Sequence, residues 1–492
     1  MFLELPLFLF VCYKNVTVFI LIFLSEGDTM KLRNSSFLHV SLILLFFSFP
    51  LNAGSKKVAV IGTGYVGLIV GSSLADMGHK VTCVDIIPEK IEKLKKCEMP
   101  IFEPGLQELT RKNLENMYFT TDTKSAIENS EIIIIAVGTP TKKNYESDLR
   151  ALNSVARVIG DTLKEIEGYR VVCIKSTVPL GTNNKIKELI YQYCGDYKKF
   201  DLVSNPEFLR AGSALKDLYE KNPIVIGSDS QEALEIMAEL YDPLVQDGIE
   251  LIKANEFATT EIAKYAWNGL VAVKVSYGND LSHICIEYGA DIFKVIKIIS
   301  FNDKVLPLKN VKPGPGLGGS CLPKDTRVLI KMAKDKDFEM PMIQATINSS
   351  KIQKKFMVKQ LYRLLQEDVK DRTIGVLGLS FKANTDDIRK SPAIKVIGKL
   401  LADGAKIKAY DPKAIENMKR VFPHISYCEN VEDVAKGSDG LIALTDWNDI
   451  KGANLQRISK LVKSKILVDA RNMYDPKELK KNGFKFANLG RR

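Results

Sequence analysis

Histidine is scarce in this chain of 492 residues, and its cysteines never occur in closely spaced pairs. There are 4 histidines and 8 cysteines, with no CxxC motif. Such wide spacing argues against a disulfide framework and against a zinc site, and it favours a protein of a reducing compartment. The histidines are isolated from one another, so they suggest no metal site either.

A run of basic residues is also missing. The net charge is +11, but 70 lysines and arginines are scattered among 59 acidic residues without interleaved aromatics. Nucleic-acid-binding surfaces concentrate their basic residues, so we expect no nucleic-acid partner. The excess of positive charge suggests anionic ligands only weakly. At this length the chain is expected to form two or three domains.

The first 54 residues differ from the remainder. Residues 1–24 are strongly apolar, but Lys14 and Asn15 interrupt them, which makes a poor membrane-spanning helix. From Met30 a basic start, an apolar core and small residues are typical of a secretory signal peptide. A true leader, an uncleaved membrane anchor and a start codon placed too far upstream are the three interpretations. We favour the last, because a strand pattern begins directly after Lys56.

The clearest motif follows that point. Residues 57–61 are a β-branched run typical of a buried parallel strand, and the sequence Gly62-Thr63-Gly64-Tyr65-Val66-Gly67 comes next, at the start of a helix that runs to about Met77. The following strand pattern ends in Asp85. A GxGxxG turn between strand and helix, with an acid about 20 residues later, is a specific dinucleotide fingerprint.

Each residue of this fingerprint has an expected role. Gly62 makes the turn, Gly64 admits a pyrophosphate, and Gly67 lets the helix pack on the strand. Asp85 is expected to accept hydrogen bonds from the adenosine ribose and to favour NAD over NADP. Lys90 either opposes that preference or is simply solvated. The predicted cofactor contacts here are Gly62, Gly64, Tyr65, Val66, Gly67, Asp85 and Lys90.

Later strand patterns end in polar loops. Residues 131–137 lead to Thr139, and residues 171–175 lead to Thr177. Because the carboxyl ends of parallel strands face the ligand crevice, we expect both threonines near a nicotinamide ribose or the substrate. After residues 201–204, the loop Asn205-Pro206-Glu207-Phe208-Leu209 adds a carboxylate, either a general base or a surface acid.

A long helix is predicted over residues 256–292. Lys264 and Asn268 are four residues apart and project from one face of it. Since neighbours such as Ile262, Trp267 and Leu270 are apolar, we expect the helix to be largely covered and this polar pair to belong to a site.

A glycine-rich loop ends in a single cysteine. Residues 314–319 contain four glycines, and Cys321, Lys324 and Asp325 follow closely. Glycine permits close approach of backbone to a ligand. A nearby lysine can lower the pKa of a thiol, and the thiolate is the nucleophile. The alternative is a glycine-rich turn with an ordinary half-buried cysteine.

The alternating pattern restarts after a second helical stretch at about 342–367. Lys382 and Arg389 lie just past its first strand, where phosphate would bind. The sequence thus predicts an α/β fold with two Rossmann-like doubly wound parallel-sheet domains joined by a long central helix. The new strands are expected at residues 373–377, 405–411, 439–444 and 466–469, and the segment boundaries at 1–54, 55–250, 251–367 and 368–492.

Seven motifs in order make residues 56–490 resemble the UDP-glucose/GDP-mannose dehydrogenase family. The resemblance implies an NAD-dependent four-electron oxidation of a nucleotide sugar's primary alcohol, in a homodimer whose interface lies on the central helix. The matching motifs are Gly62–Gly67, Val137-Gly138-Thr139-Pro140, Ser176-Thr177-Val178-Pro179, Asn205-Pro206-Glu207-Phe208-Leu209, Gly318-Gly319-Ser320-Cys321, Pro323-Lys324-Asp325, and Leu379-Ser380-Phe381-Lys382 with Thr385-Asp386-Asp387.

The resemblance also implies roles for single residues. Cys321 would form a thiohemiacetal and then a thioester. Lys264 and Asn268 would stabilise the oxyanion. Asp325, with Thr177, would orient the hydrolytic water, and Glu207 would be the acid/base. The remaining contacts are Thr139, Thr177, Lys324 and Arg389 to the cofactor, and Glu207, Phe208, Leu209, Lys264, Asn268, Gly314, Gly318, Lys382 and Arg471 to the nucleotide sugar.

The expected substrate is UDP-glucose. The runs Leu444-Thr445-Asp446-Trp447 and Asp469-Ala470-Arg471-Asn472 resemble the UDP-glucose branch of the family. GDP-mannose, a related UDP-sugar, or nucleotide binding without catalysis are the alternatives. NAD and UDP-sugars are cytosolic, so we expect a cytoplasmic protein that contacts a membrane only if residues 1–54 are retained.

Two positions depart from the family pattern. Ala211 stands where a glutamate is usual, so one cofactor contact is expected to be absent. Val305, beside Lys304, stands where an arginine usually reaches the neighbouring subunit's sugar. Either Lys304 substitutes, or that contact between subunits is weaker.

Overall fold

The computed structural model describes residues 7–13, 16–22, 54–220, 222–300, 311–366 and 369–491. The chain divides into two units, Met1–Gly54 and Ser55–Arg492. In the first unit, β1 (Leu7–Tyr13) and β2 (Val16–Ile22) pair antiparallel. The signal-like segment that starts at Met30 lies outside the described residues. Across the ranges given above, no helix is both long and apolar enough to cross a bilayer.

An eight-stranded sheet forms the first α/β domain of the second unit. Its strands are β3 (Lys57–Ile61), β4 (Lys80–Val84), β5 (Met117–Thr120), β6 (Ile132–Ile135), β7 (Arg170–Ile174), β8 (Phe200–Ser204), β9 (Ile224–Gly227) and β10 (Leu251–Ala254). Their spatial order is β10-β9-β8-β7-β6-β3-β4-β5, parallel throughout except between β8 and β9. Counted from β3, the first six strands follow the order 3-2-1-4-5-6 typical of dinucleotide-binding domains.

Helices cover both faces of this sheet, which explains why its strands are apolar on both sides. In β6, Ile132 and Ile134 enter one buried cluster, whereas Ile133 and Ile135 enter another. The helices are α1 (Tyr65–Asp76), α2 (Pro88–Lys95), α3 (Leu106–Lys112), α4 (Thr123–Glu128), α5 (Arg150–Glu165), α6 (Thr182–Cys194), α7 (Ala214–Tyr219), α8 (Gln231–Leu240) and α9 (Asp242–Gln246).

Four helices follow: α10 (Phe257–Tyr288), α11 (Ile292–Ile299), α12 (Leu322–Lys334) and α13 (Pro341–Leu365). The long helix α10 is confirmed, but the predicted end at residue 292 is wrong. Gly289 adopts a left-handed conformation with φ of 69° and stops the helix at Tyr288. Helix α12 was not predicted, although Pro323 in its first turn is a typical helix start.

The expected covering of α10 holds for only one face. Ile262, Trp267 and Leu270 are exposed by 49%, 47% and 59%, so the prediction that they cover the helix within this chain is wrong. The buried face of α10 is instead lined with small and polar side chains, including Lys264 and Asn268.

A second sheet of six strands forms the other α/β domain, with β11 (Thr373–Leu377), β12 (Lys406–Tyr410), β13 (Ser426–Tyr427), β14 (Gly440–Ala443), β15 (Ile466–Asp469) and β16 (Lys485–Ala487). The order is β13-β12-β11-β14-β15-β16, all parallel, so the 3-2-1-4-5-6 arrangement recurs. The predicted fold class is confirmed. Its helices are α14 (Pro392–Ala402), α15 (Ile415–Lys419), α16 (Val431–Ala435), α17 (Asn448–Lys451), α18 (Leu455–Leu461) and α19 (Pro476–Lys481).

The two sheets repeat each other at the first turn but differ in its chemistry. Gly62 and Gly378 follow the first strand of each domain, with φ of 103° and 91°. Asp411 is the counterpart of Asp85, but it is buried and accepts hydrogen bonds from the backbone N–H groups of Leu379 and Ser380, in the turn after β11, and from the Trp447 indole at 3.0 Å. The second domain therefore uses this carboxylate internally and does not offer it to a ribose.

Candidate active site

The GxGxxG turn has the shape that a dinucleotide needs. A Cβ on Gly62 would lie 2.8 Å from the carbonyl oxygen of Ala136, and one on Gly67 would lie 1.8 Å from that of Gly62. A Cβ on Gly64 would meet nothing within 4 Å. Packing therefore requires the first and third glycines, whereas Gly64 faces open space at the N-terminus of α1. Backbone N–H groups at such a terminus suit a pyrophosphate, so the turn fits NAD.

Asp85 lies just after β4, next to this turn. Its Oδ2 accepts hydrogen bonds from Thr63 N at 3.1 Å, Thr63 Oγ1 at 2.7 Å and Lys90 Nζ at 2.6 Å. Burial raises the pKa of Asp85, but the bonds from Lys90 and Thr63 outweigh it, so the pKa lies below its usual range. Lys90 is therefore not merely solvated, because it holds Asp85 ionised and oriented.

The glycine-rich loop before Cys321 is anchored from two helices. Gly314 N donates to Asn279 Oδ1 of α10 at 2.8 Å. Lys354 of α13 donates from Nζ to the Leu317 carbonyl oxygen at 2.6 Å, and burial together with nearby cations lowers the pKa of Lys354 to about 8. Cys321 caps α12, and its side chain is exposed. The loop thus presents one accessible thiol from a fixed backbone.

The four polar side chains predicted around the cysteine form two buried pairs. Lys264 Nζ lies 3.1 Å from Glu207 Oε1, and Asn268 Nδ2 donates to Asp325 Oδ2 at 2.6 Å. Lys264 and Asn268 project from the same face of α10, Glu207 follows β8, and Asp325 lies in the first turn of α12. Helix α10 therefore brings together loops from both sides of the site.

These groups set the chemistry of the thiol. Solvent reaches Cys321, but protein surrounds it otherwise, and this burial raises the pKa of the thiol; Glu207 and Asp325 raise it further. Lys264 and Ser320 lower the pKa, but not enough to reverse the shift. A nearby lysine does lower the pKa, as the sequence suggested, but it is Lys264, and burial and the two carboxylates outweigh it; Lys324 is bonded to Asp325. The surroundings of Cys321 therefore favour its thiol form over the thiolate.

Thr139 and Thr177 lie together, as predicted from the strand ends. Thr139 Oγ1 donates to the Thr177 carbonyl oxygen at 2.7 Å. The loop after Thr177 is held from α10, where Glu261 accepts hydrogen bonds from Gly181 N at 2.7 Å and Asn183 N at 2.9 Å. The sequence reasoning missed Glu261, although an acid on the same helix face as Lys264 was a usable signal.

The Glu207 loop is tied to its neighbours. Leu209 N donates to Glu207 Oε2 at 2.5 Å, and Lys264 Nζ lies 5.4 Å from the centre of the Phe208 ring. Glu207 thus has one oxygen on Lys264 and the other on backbone. The carboxylate is therefore buried and held in place rather than exposed as a surface acid, and its charge acts on the Cys321 thiol.

Arg389 of the second domain and Gly318 of the cysteine loop lie where these two parts of the chain meet. Arg389 binds Asp387 through Nε and Nη2 at 2.9 and 2.7 Å, and its charge interacts with that of Cys321. A Cβ on Gly318 would lie 3.1 Å from the Phe381 Cβ. The cysteine loop therefore packs directly on the turn that follows β11.

Cations gather where a nucleotide's phosphates were expected. Burial lowers the pKa of Lys382, and the nearby charges of Arg210 and Arg471 lower it further. Arg471 donates to two backbone carbonyls at 2.9 and 2.7 Å. A Cβ on Gly314 would lie 3.3 Å from Arg471 Nη1, so the cysteine loop reaches this cluster. Mutual repulsion of this kind is relieved by an anionic ligand.

The two departures from the family pattern have different outcomes. Ala211 lies partly buried between Arg210 and Gly212 and offers no carboxylate. Val305 and Lys304 lie outside the described residues.

The first domain has a dinucleotide turn with an ionised acid beside it. In the second, nucleotide-sized domain the cations contact the cysteine loop. Together they define a nicotinamide-dependent dehydrogenase with a phosphorylated substrate. Residues 56–245, 258–351 and 375–476 match the NAD binding, central and UDP binding domains of the UDP-glucose/GDP-mannose dehydrogenase family. The chain belongs to this family.

Individual relatives are similar over most of their length. UDP-glucose 6-dehydrogenase TuaD of Bacillus subtilis is 40% identical over 439 residues, which is 89% of this chain and 93% of the relative. UDP-glucose 6-dehydrogenase of Rhizobium meliloti is 38% identical over 88% of this chain and 99% of its own. The structure of a UDP-glucose dehydrogenase from the hyperthermophilic archaeon Pyrobaculum islandicum superposes with a TM-score of 0.81 at 30% identity, covering 87% of this chain and 97% of that one.

Proposed function

We propose that this protein is an NAD-dependent UDP-glucose 6-dehydrogenase, which oxidises the primary alcohol of the sugar to a carboxylate and forms UDP-glucuronate. The observation that carries the proposal is the cysteine loop. At one end it places Cys321 within the charges of Lys264 and Glu207, and at the other Gly314 touches Arg471. The relatives named UDP-glucose 6-dehydrogenases support the choice of sugar.

The cofactor is held by the first domain. The backbone at Gly64 and the N-terminus of α1 would hold the pyrophosphate, and Asp85 would accept hydrogen bonds from the adenosine ribose. Thr139 and Thr177 lie at the strand ends beside the reacting region. When bound, NAD would supply the hydride acceptor, one molecule for each of the two hydrides that the oxidation releases.

Cys321 converts the intermediate aldehyde into a thioester. Its sulfur adds to the aldehyde carbon, and the thiol proton passes to the neighbouring Lys264–Glu207 pair. Lys264 Nζ and Asn268 Nδ2 stabilise the oxyanion that forms. Loss of the second hydride from this thiohemiacetal leaves a thioester on the sulfur.

Hydrolysis then restores the enzyme. The thiol proton first leaves the Lys264–Glu207 pair for solvent. Asp325, with Thr177, then orients a water molecule against the thioester carbon, and Glu207 accepts one proton of that water and returns it to the departing sulfur of Cys321, while the second proton of the water leaves with ionisation of the product acid. The carbon–sulfur bond breaks, the carboxylate leaves, and Cys321 is regenerated. Glu207 thus takes part in proton transfer in both halves of the cycle, and the raised pKa of Cys321 is consistent with a thiol that must give up its proton in the first half.

Initial rates of NADH formation with a panel of nucleotide sugars test the proposal. We expect UDP-glucose to give the highest kcat/KM and two NADH per sugar, ahead of GDP-mannose and UDP-N-acetyl sugars. A higher kcat/KM with GDP-mannose would favour the other branch of the family. Binding of NAD and UDP without turnover of any sugar would favour a non-catalytic nucleotide-binding protein.

We also propose that the protein is a cytoplasmic homodimer that pairs through α10. Exposed Leu270, Tyr277 and Ile284 recur every seven residues, and Tyr288 ends the same exposed stretch. Heptad spacing of large apolar side chains is typical of a helix that pairs with another helix. An exposed apolar seam of this kind is a liability for a monomer, which supports pairing with a second copy.

A further inference from the structure

One buried carboxylate outside the catalytic group has an unusual set of partners. Glu103 is only 4% exposed and lies in the loop between α2 and α3. It accepts a hydrogen bond from the Tyr65 hydroxyl, and backbone N–H groups of Gly212 and Ala214 donate to it at 2.5 and 2.6 Å. The sequence reasoning did not single this residue out.

The first partner belongs to the dinucleotide turn. Tyr65 is the first residue of α1, the helix whose N-terminus fits the pyrophosphate of NAD. Its hydroxyl also accepts a hydrogen bond from Gly212 N at 3.1 Å. The position of Glu103 is therefore tied to the helix whose N-terminus is expected to hold NAD.

The second set of partners continues the Glu207 loop. Gly212 and Ala214 follow that loop and lead into α7. Gly212 has a φ of 78°, and a Cβ on it would lie 2.9 Å from the carbonyl oxygen of Ala383. Ala383 is the residue that directly follows Lys382 in the chain. The backbone that Glu103 holds is thus pressed against the turn that carries the expected phosphate contact.

The loop of Glu103 also contacts the second domain itself. The Phe102 ring lies 4.6 Å from Lys413 Nζ, and Phe102 N donates to Asp386 Oδ1 at 3.4 Å. The charges of Glu103 and Lys382 interact, each favouring the ionised form of the other. Glu103 therefore contacts the helix of the NAD turn and the backbone that follows the Glu207 loop, and it interacts electrostatically with Lys382 of the second domain.

We infer that Glu103 is a positioning residue that couples the NAD site to the nucleotide-sugar site. Its carboxylate binds Tyr65 and the backbone at Gly212, and its charge acts on Lys382, so the three are kept in one arrangement. A ligand that fixes any of these elements reduces the entropy lost when a second ligand fixes the others, so the two ligands bind with positive coupling. The inference rests on the proposed function for the identity of the sugar, but not for the coupling.

A purely structural role makes a different prediction. If Glu103 only anchors the fold, its replacement lowers stability or weakens each ligand separately, while the effect of one ligand on the other is unchanged. The coupling factor, which is the ratio of a ligand's Kd without and with the second ligand, therefore separates the two roles.

Calorimetric titration of UDP-glucose, without and with saturating NADH, measures this factor without turnover. We expect NADH to tighten UDP-glucose binding about 5- to 150-fold in the unmodified protein, and UDP-glucose to tighten NADH equally, because coupling is reciprocal. In Tyr65→Phe and in Glu103→Gln the factor is expected to fall towards one. Glu108→Gln, an exposed position on α3, is the matched control and should keep the full factor.

The titration is repeated with UDP as a second probe. If UDP shows the coupling but UDP-glucose does not bind, the proposed sugar is wrong and the inference stands. An unmodified protein in which NADH changes neither Kd overturns the inference. So do Tyr65→Phe and Glu103→Gln variants that keep the full factor. Tyr65→Phe removes one hydroxyl and keeps the ring, so it carries the test even if Glu103→Gln does not fold.

Discussion

Replacing Asp85 tests the cofactor assignment at a single side chain. In the structure its Oδ2 is already oriented by Thr63 and Lys90, so the carboxylate needs no rearrangement to accept hydrogen bonds from a ribose. Asp85→Ala removes that acceptor and leaves Lys90 without its partner. We therefore expect weaker binding of NAD and a smaller preference for NAD over NADP, whose added phosphate would suit the released ammonium group.

The size of the effect follows from the kind of bond. A hydrogen bond to a charged group contributes about 1.5–3 kcal/mol net. Since about 1.4 kcal/mol is tenfold in Kd, Asp85→Ala should raise the Kd for NAD about 10- to 150-fold. Because the pKa of Asp85 lies below its usual range, the acceptor stays charged, and NAD affinity should not depend on this group from neutral pH down to about pH 4.

The assay is calorimetric titration of NAD and NADP into the unmodified protein and the variant. Glu89→Gln is a matched control, because Glu89 is exposed in the first turn of α2 and should leave both affinities unchanged. An unchanged Kd for NAD in Asp85→Ala, or a preference for NADP in the unmodified protein, would refute the assignment.

Three further outcomes are expected. The rate of Cys321 alkylation by iodoacetamide, followed by peptide mass spectrometry, should keep rising with pH beyond the usual thiol range, since the pKa of this thiol is raised. At pH 8, Glu207→Gln should increase this rate and Lys264→Met should decrease it. The opposite order of the two variants would contradict the electrostatics. Glu261→Ala removes the acceptor of three N–H donors, two of them buried on Asn183, and should lower the free energy of unfolding in urea by about 2–3 kcal/mol. Glu287→Ala on the exposed face of the same helix should change it by less than about 0.5 kcal/mol, and equal losses would refute the anchoring role. A chain that starts at Gly54 should be active, and light scattering should show that it is a dimer. Leu270→Asp should shift this chain to a monomer. If the chain without the substitution is already a monomer, pairing through α10 is ruled out.

Local patterns predicted the parts of the site that depend on neighbouring residues. The turn at Gly62–Gly67 and the acid at Asp85 follow from steric limits that act within a single strand-turn-helix unit. The strands around them were predicted to within a residue or two, because their apolar runs are bounded by glycine and polar residues. The inner strands of both sheets therefore were predictable from local patterns, whereas β5, β9, β10, β13 and β16, which lie towards the sheet edges, were not predicted.

Other parts depend on residues far apart in the chain. The pKa of Cys321 is set partly by Glu207, which lies 114 positions away in the chain, so Lys324, three positions away, was a poor guide to it. The exposure of Leu270 could not be predicted, because an apolar residue on a helix is equally consistent with burial in its own chain and in a partner. Glu103 escaped notice because its donors lie 38 to 111 positions away.

The central claim is that Cys321 carries the sugar as a covalent intermediate during NAD-dependent oxidation of UDP-glucose. The direct measurement is NADH formation and product mass in Cys321→Ser beside the unmodified protein, with Kd values for NAD and UDP-glucose measured on both. We predict UDP-glucuronate and two NADH per UDP-glucose from the unmodified protein. The variant should form no UDP-glucuronate although it binds both ligands with unchanged affinity. Near-normal production of UDP-glucuronate by Cys321→Ser would contradict the account.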